Sequence, residues 1–229
     1  SFDAYPLFVR MGGATAIEVP VDAEHAHDLD AMADAITERT RAVIVCSPNN
    51  PTGTIVDREA LDAFIARVPS DVLILLDEAY IEFVRVPTVD GIALQRAHDN
   101  LVVLRTFSKA HGLAGLRVGY AIGDPAVLRG ADMAGVPLSQ TALGSAAALA
   151  ALEHVGETFS RIERLAEQRD ALWQRLVEAG VQVPRPHGNF FWVPATPGQE
   201  EQVHDILEAN RIVAKVFPGG TRISVASAH

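Results

Sequence analysis

The chain of 229 residues holds one cysteine, Cys46. A single thiol excludes an intrachain disulfide and suits a reducing, cytoplasmic setting. Lysine is almost as scarce: of 19 basic residues only Lys109 and Lys215 are lysines, and the other 17 are arginines. Basic residues are also outnumbered, since 29 acidic side chains leave a formal net charge of −10. That balance argues against nucleic acid or an anionic membrane surface as the main partner. The longest stretch without charge, Met133 to Leu152, is about membrane-spanning length. Pro137, Ser139, Gln140, Thr141, Gly144 and Ser145 interrupt it, so it reads as a loop plus a small-residue helix buried in protein. The histidines show no ligand spacing with Cys or Asp, so no metal site is expected. Neither a Walker loop nor Gly-x-Gly-x-x-Gly occurs.

What is present is a globular pattern, 48% hydrophobic and 21% charged. Ile17 to Val19 is short and β-prone. Ala42 to Cys46, Val72 to Leu76, Leu101 to Leu104 and Val118 to Ile122 are short apolar runs. Helical spacing recurs at Leu29, Met32, Ala33 and Ile36, and at Leu61, Phe64, Ile65 and Val68. Such alternation implies an α/β fold with three αβα layers around a mainly parallel sheet. After Gly156 one long helical face runs from Phe159 to Val177 and stops at Gly180. A strand at Phe190 to Val193, a helix near Gln199 to Ala209, and strands near Ile212 to Val216 and Arg222 to Val225 follow. The expected division is a large unit over 1–150 and a smaller α+β unit over 151–229.

In open α/β sheets ligands collect at the carboxyl ends of the strands. Three apolar runs deliver polar clusters there: Ser47-Pro48-Asn49-Asn50-Pro51-Thr52-Gly53, then Asp77-Glu78-Ala79-Tyr80, then Arg105-Thr106-Phe107-Ser108-Lys109. An amine at Lys109 can form a Schiff base with an aldehyde, which a guanidinium does not usefully do; the bland alternative is a solvated lysine. Asp77 suits a pyridinium nitrogen, or else a helix N-cap. Asn50 and Tyr80 each offer a neutral hydrogen bond to a phenolic oxygen, or else serve as a turn residue and a core tyrosine. Ser108 with Arg117 makes a phosphate-binding pair, although a surface arginine is the commoner fate of such a residue.

Together these clusters, with Gly115-Leu116-Arg117-Val118-Gly119-Tyr120, resemble the fold type I aminotransferases that use pyridoxal 5′-phosphate, most nearly the histidinol-phosphate and aromatic amino-acid subgroup. The resemblance covers essentially the whole chain. It implies Lys109 as the Schiff-base lysine and Asp77 as partner of the pyridine nitrogen. It implies Asn50 and Tyr80 as ligands of the ring hydroxyl, and Ser108 and Arg117 as phosphate ligands. Phe2 matches the ring stacked on the cofactor, Arg222 the arginine that binds the substrate carboxylate, and Asn189 a residue near the substrate. Amino-acid and 2-oxo-acid substrates, ping-pong transamination and a homodimer are implied as well. Family members extend further at both ends, so the sequence is expected to belong to a longer protein. Lys215 lies where many relatives carry an arginine near the distal end of the substrate. A lysine clamps an anion less well, which favours an aromatic amino acid with 2-oxoglutarate over histidinol phosphate. A regulator carrying an aminotransferase-like domain, and a lyase or decarboxylase on the same fold, are the other readings.

Overall fold

The computed structural model describes residues 2–137, 139–196 and 198–225. The elements are α1 (Ala4–Met11), α2 (Leu29–Asp34), β1 (Ala42–Cys46), α3 (Arg58–Arg67), β2 (Leu73–Asp77), α4 (Gly91–Gln95), β3 (Leu101–Thr106) and β4 (Gly119–Ile122). They continue as α5 (Pro125–Ala134), α6 (Ala142–Glu153), α7 (Val155–Glu178), β5 (Phe190–Pro194), α8 (Glu200–Ala209), β6 (Ala214–Phe217) and β7 (Gly220–Ser224). β1 to β4 form one sheet in that order, with β1, β2 and β3 parallel and β4 antiparallel at the edge. β5, β7 and β6 form a second, antiparallel sheet.

The register explains the core. Val45 lies beside Leu76 and Leu76 beside Val103, so these side chains form one row on one face. With Ile74 and Leu101 they bury against Leu29 and Ala33 of α2, Leu61, Phe64 and Ile65 of α3, and Leu94 of α4. Burying one such side chain is worth about 1.5–3 kcal/mol, so this row carries much of the stability. On the opposite face Ile44, Leu73, Leu75 and Leu104 are half-buried. Asp57 caps α3 by accepting the N–H groups of Glu59 and Ala60, and Asp90 caps α4 in the same way. At the start of α5, Asp124 accepts the N–H of Ala126 ahead of Pro125.

Buried polar groups tie the elements together. Arg169 of α7 is 1% exposed. Its Nη1 donates to the carbonyls of Phe83 (2.9 Å) and Gly188 (3.0 Å), and its Nε donates to Asp170. One guanidinium therefore holds the loop after β2 and the segment before β5. Glu78 is buried and takes Nε and Nη2 of Arg105 on one oxygen, at 2.8 and 2.7 Å. A Cβ at Gly91 would overlap that carboxylate, so this glycine is needed for space.

Two sequence expectations are corrected. Ile17 to Val19 forms no strand; Ile17 is 71% exposed and only an isolated bridge between Val21 and His27 forms nearby. β-prone residues need a neighbouring strand to pair with, and none lies beside them among the described residues. Within Met133 to Leu152 the small-residue helix, α6, buries only Gly144 and Ala148, while Leu143, Leu149 and Leu152 are more than half exposed. Its small residues pack closely on Phe107 and Val118, which leaves the leucines on the outer face. No helix among the described residues is long and apolar enough to cross a membrane.

Two histidines make stability depend on pH. His27 Nε2 accepts the N–H of Cys46 at 3.2 Å, which requires a neutral ring. Burial lowers its pKa to about 4. Burial, then Arg169 and Arg185, lower that of His187 to about 4 as well. A histidine with a depressed pKa in the folded state binds its proton first in the unfolded chain, so folding stability falls as pH drops. Denaturant titrations are expected to lose up to about 3 kcal/mol per histidine between about pH 6.5 and pH 4. Replacement of His27 by Asn is expected to remove roughly half of that slope.

Candidate active site

The in-register ends of the parallel strands build the site. Cys46 pairs with Asp77, and Asp77 with Leu104, so the loops leaving β1, β2 and β3 start along one edge of the sheet. The loop after β1 is a buried turn. Gly53 donates its N–H to Asn49 O (2.8 Å), and Asn49 Nδ2 donates to Thr52 Oγ1 (2.8 Å). Gly53 sits at φ +77°, where other residues are strained, and its carbonyl accepts the N–H of His187. With Asn49 spent inside the turn, Asn50, also buried, is left to bond elsewhere, and its Oδ1 accepts Arg222 Nη1 at 2.5 Å.

Asp77 ends β2 half-buried. Its Oδ1 accepts the N–H of Ala79 at 2.9 Å, which is the local capping bond that any Asp here would make. Its Oδ2 accepts the hydroxyl of Tyr5 at 2.6 Å, and Cys46 Sγ lies 3.8 Å from the same oxygen. Burial, and then the charge of Asp77, push the Tyr5 pKa far up, so this hydroxyl stays a donor. Tyr80, three residues beyond Asp77, is 5% exposed and stands edge-on to Phe190 with ring centroids 5.0 Å apart. Burial also raises its pKa, against the pull of Arg222.

Lys109 is exposed as a residue, but its Nζ lies 5.3 Å from the centroid of the buried Tyr80 ring. Partial burial of the amine, then repulsion by Arg222 and Arg117, lower its pKa, against the attraction of Asp77. Among the described residues no carboxylate is within ion-pair distance of it. Arg117 has left-handed backbone (φ 56°), an uncommon state for a side-chain-bearing residue. It sits between the Ala114–Leu116 turn and β4, with Nη1 2.8 Å from Ala114 O and 3.5 Å from Ser108 Oγ. Strain of this kind persists where surrounding structure demands it, often at sites of function.

The second sheet supplies the remaining wall. Arg222 lies between Trp192 and Lys215 in the ladder. Its guanidinium is 5.2 Å from the Phe190 ring, and its Nε is buried with no hydrogen-bond partner. Lys215 instead forms an ion pair with Asp3 and lies 4.8 Å from the Phe217 ring. Asn189 enters through its backbone, whose carbonyl accepts the N–H of Val225. Phe2 is 40% exposed and stands edge-on to Tyr5 at 5.7 Å.

Asn50, Asp77, Tyr80, Lys109 and Arg222 thus surround one space, with Ser108 and Arg117 beside Lys109. Three cations against one nearby carboxylate, plus an orphaned guanidinium N–H, form a site short of anions. This donor set fits a phosphorylated pyridine aldehyde: Ser108 and Arg117 for the phosphate, Asp77 for a ring nitrogen, Asn50 and Tyr80 for a ring hydroxyl, Lys109 for the aldehyde. The residues that sequence reasoning missed are Tyr5, Phe190 and Arg169. Tyr5 had a faint signal, since it lies three residues after Phe2, one helical turn on.

A mixed, mainly parallel sheet flanked by helices, with polar loops at the carboxyl ends of its parallel strands, is an α/β architecture. The chain belongs to the class I and II aminotransferase family, whose model matches residues 1–229. It is 44% identical over 230 residues to the aromatic amino acid aminotransferase of Mycobacterium sp. strain KMS, covering all of this chain and 64% of that protein. It is 46% identical over 227 residues to the protein of that name from Mycobacteroides abscessus, covering 99% and 65%. The chain therefore spans less than two thirds of these relatives' length. Among solved structures it resembles histidinol-phosphate aminotransferase from Sinorhizobium meliloti in complex with pyridoxal 5′-phosphate. The TM-score is 0.86 at 26% identity, with 99% of this chain and 64% of that one covered. It also shares the fold of Thermus thermophilus aspartate aminotransferase, with TM-score 0.82, 24% identity, and coverage of 98% and 63%.

The electrostatics can be checked without any ligand. Reductive ¹³C-methylation followed by NMR titration should place the Lys109 midpoint below the ordinary lysine value of about 10.4. The variant Arg222→Gln removes the larger of the two repelling charges, so its Lys109 midpoint should move up.

Proposed function

We propose that the protein is a pyridoxal 5′-phosphate-dependent aminotransferase that moves an amino group between an aromatic amino acid and 2-oxoglutarate by a ping-pong scheme. The observation that carries this reading is a lysine amine with lowered proton affinity, set among Tyr80, Arg117, Arg222 and Asp77. Relatives named aromatic amino acid aminotransferase that match along all or nearly all of this chain support the substrate class. Lys215 supports it too, because its ammonium is engaged by the Asp3 carboxylate and a lysine clamps a phosphorylated side chain less well than an arginine.

When bound, the cofactor supplies the electron sink that makes the α-proton of an amino acid acidic. The protein's residues do the rest. Arg222, already held by Asn50, turns its unpartnered N–H toward the substrate carboxylate. Lys109, whose lowered pKa makes the neutral amine accessible, takes the proton from the substrate α-carbon and acts as acid on the return. Ser108 and Arg117 would hold the phosphate, Asp77 would meet the ring nitrogen, and Asn50 and Tyr80 would bond the ring hydroxyl. Phe2 would stack on the ring, and Asn189 would line the substrate side. The reading includes a large unit over 1–150 and a small one over 151–229, a homodimer, and a cytoplasmic location.

Replacing Lys109 by Ala is expected to cut amino-group transfer by about 10²–10⁴ or more. Specificity constants of the full-length enzyme are expected to favour phenylalanine or tyrosine over histidinol phosphate. A preference of about a thousandfold for histidinol phosphate, far beyond what a lost methylene explains, would replace the substrate assignment. Release of carbon dioxide without oxo-acid formation would point to a decarboxylase.

A further inference from the structure

Tyr5 has no part in the motifs or in the reaction steps above, yet it makes the shortest of the three hydrogen bonds to the Asp77 carboxylate. Packing of its helix does not account for this contact. α1 buries no residue, and Leu7, Phe8 and Met11 are 48%, 58% and 75% exposed. The Tyr5 side chain is half-buried and is aimed at the carboxylate, while its ring meets Phe2 at 87°. The two oxygens of Asp77 are therefore treated differently. Oδ1 is fixed by the backbone of its own loop, and Oδ2 chiefly by a residue 72 positions away in sequence, with the weaker and longer contact of Cys46 Sγ beside it.

We propose that Tyr5 is a positioning residue for the cofactor site: its hydroxyl fixes Oδ2 of Asp77 and its ring backs Phe2. One side chain thereby sets both the carboxylate that meets the ring nitrogen and the aromatic ring that lies on the cofactor. The inference rests on the proposed binding of pyridoxal 5′-phosphate. A carboxylate with one oxygen free to swing loses orientation even though its charge is kept. Outer partners of this kind commonly change ligand affinity without touching the ligand. The raised pKa of Tyr5 agrees with a hydroxyl that remains protonated across the working range.

The test is a double-mutant cycle read by the affinity of the full-length protein for pyridoxal 5′-phosphate, titrated to millimolar concentration. Tyr5→Phe keeps the ring and the contact with Phe2 and removes only the donor. Losing a hydrogen bond to a charged group is expected to weaken binding about tenfold. In an Asp77→Asn background the same change is expected to cost less than about twofold, because the carboxylate it orients is gone. The melting temperature of the cofactor-free protein should stay within about 2 °C, since α1 carries no core residue. Unchanged affinity in Tyr5→Phe, or an equal loss in both backgrounds, would overturn the positioning role. Failure of the unmutated protein to bind pyridoxal 5′-phosphate would instead refute the functional reading on which it rests.

Discussion

The site depends on one constraint: three parallel strands run in fixed register to one edge of the sheet, and the middle one ends in Asp77. Because Cys46, Asp77 and Leu104 lie abreast, the loops after β1 and β2 start side by side, and β3 runs two residues further to Thr106 before its own loop begins on the same edge. The row of Val45, Leu76 and Val103 beneath them fixes that register. Slipping any strand by one residue would move its apolar side chains to the wrong face. The hydrophobic core thus places the chemistry.

Two sheets must also meet for the site to close. Arg222 reaches across to Asn50, His187 bonds to Gly53, and Arg169 holds both Phe83 and Gly188 from below. Each contact is polar and mostly shielded from water, so leaving one partner unmade would cost about 1–3 kcal/mol. The same arrangement crowds Lys109, Arg117 and Arg222 together. Partial burial of the amine, and then repulsion by Arg222 and Arg117, lower the proton affinity of Lys109. Charge that would be a liability in an ordinary core here eases loss of a proton from the amine and leaves the site short of anions.

Much of this was legible in the sequence because it is local. Apolar runs closed by polar residues gave strand ends, and Asp77, Lys109 and Asn50 were singled out by position alone. The lines that failed were local signals lacking a tertiary partner. Ile17 to Val19 is β-prone but has no strand beside it, and α6 is apolar but turns its leucines outward. Tyr5 escaped notice because its partner is 72 residues away, and the Arg222–Asn50 bond spans 172. No periodicity encodes such contacts. Lys215 is instructive in the same way: next to Arg222 in the ladder, it is taken up by Asp3, a residue almost a whole chain length away.

The central claim is that Lys109 is the amine that meets the cofactor aldehyde. The chain's scarcity of lysine makes the decisive measurement simple: incubate the full-length protein with pyridoxal 5′-phosphate, reduce with borohydride, and map the modified peptide by mass spectrometry. The account predicts the pyridoxyl group on Lys109. Its recovery on Lys215, or an unmodified Lys109 peptide at saturating cofactor, would contradict it.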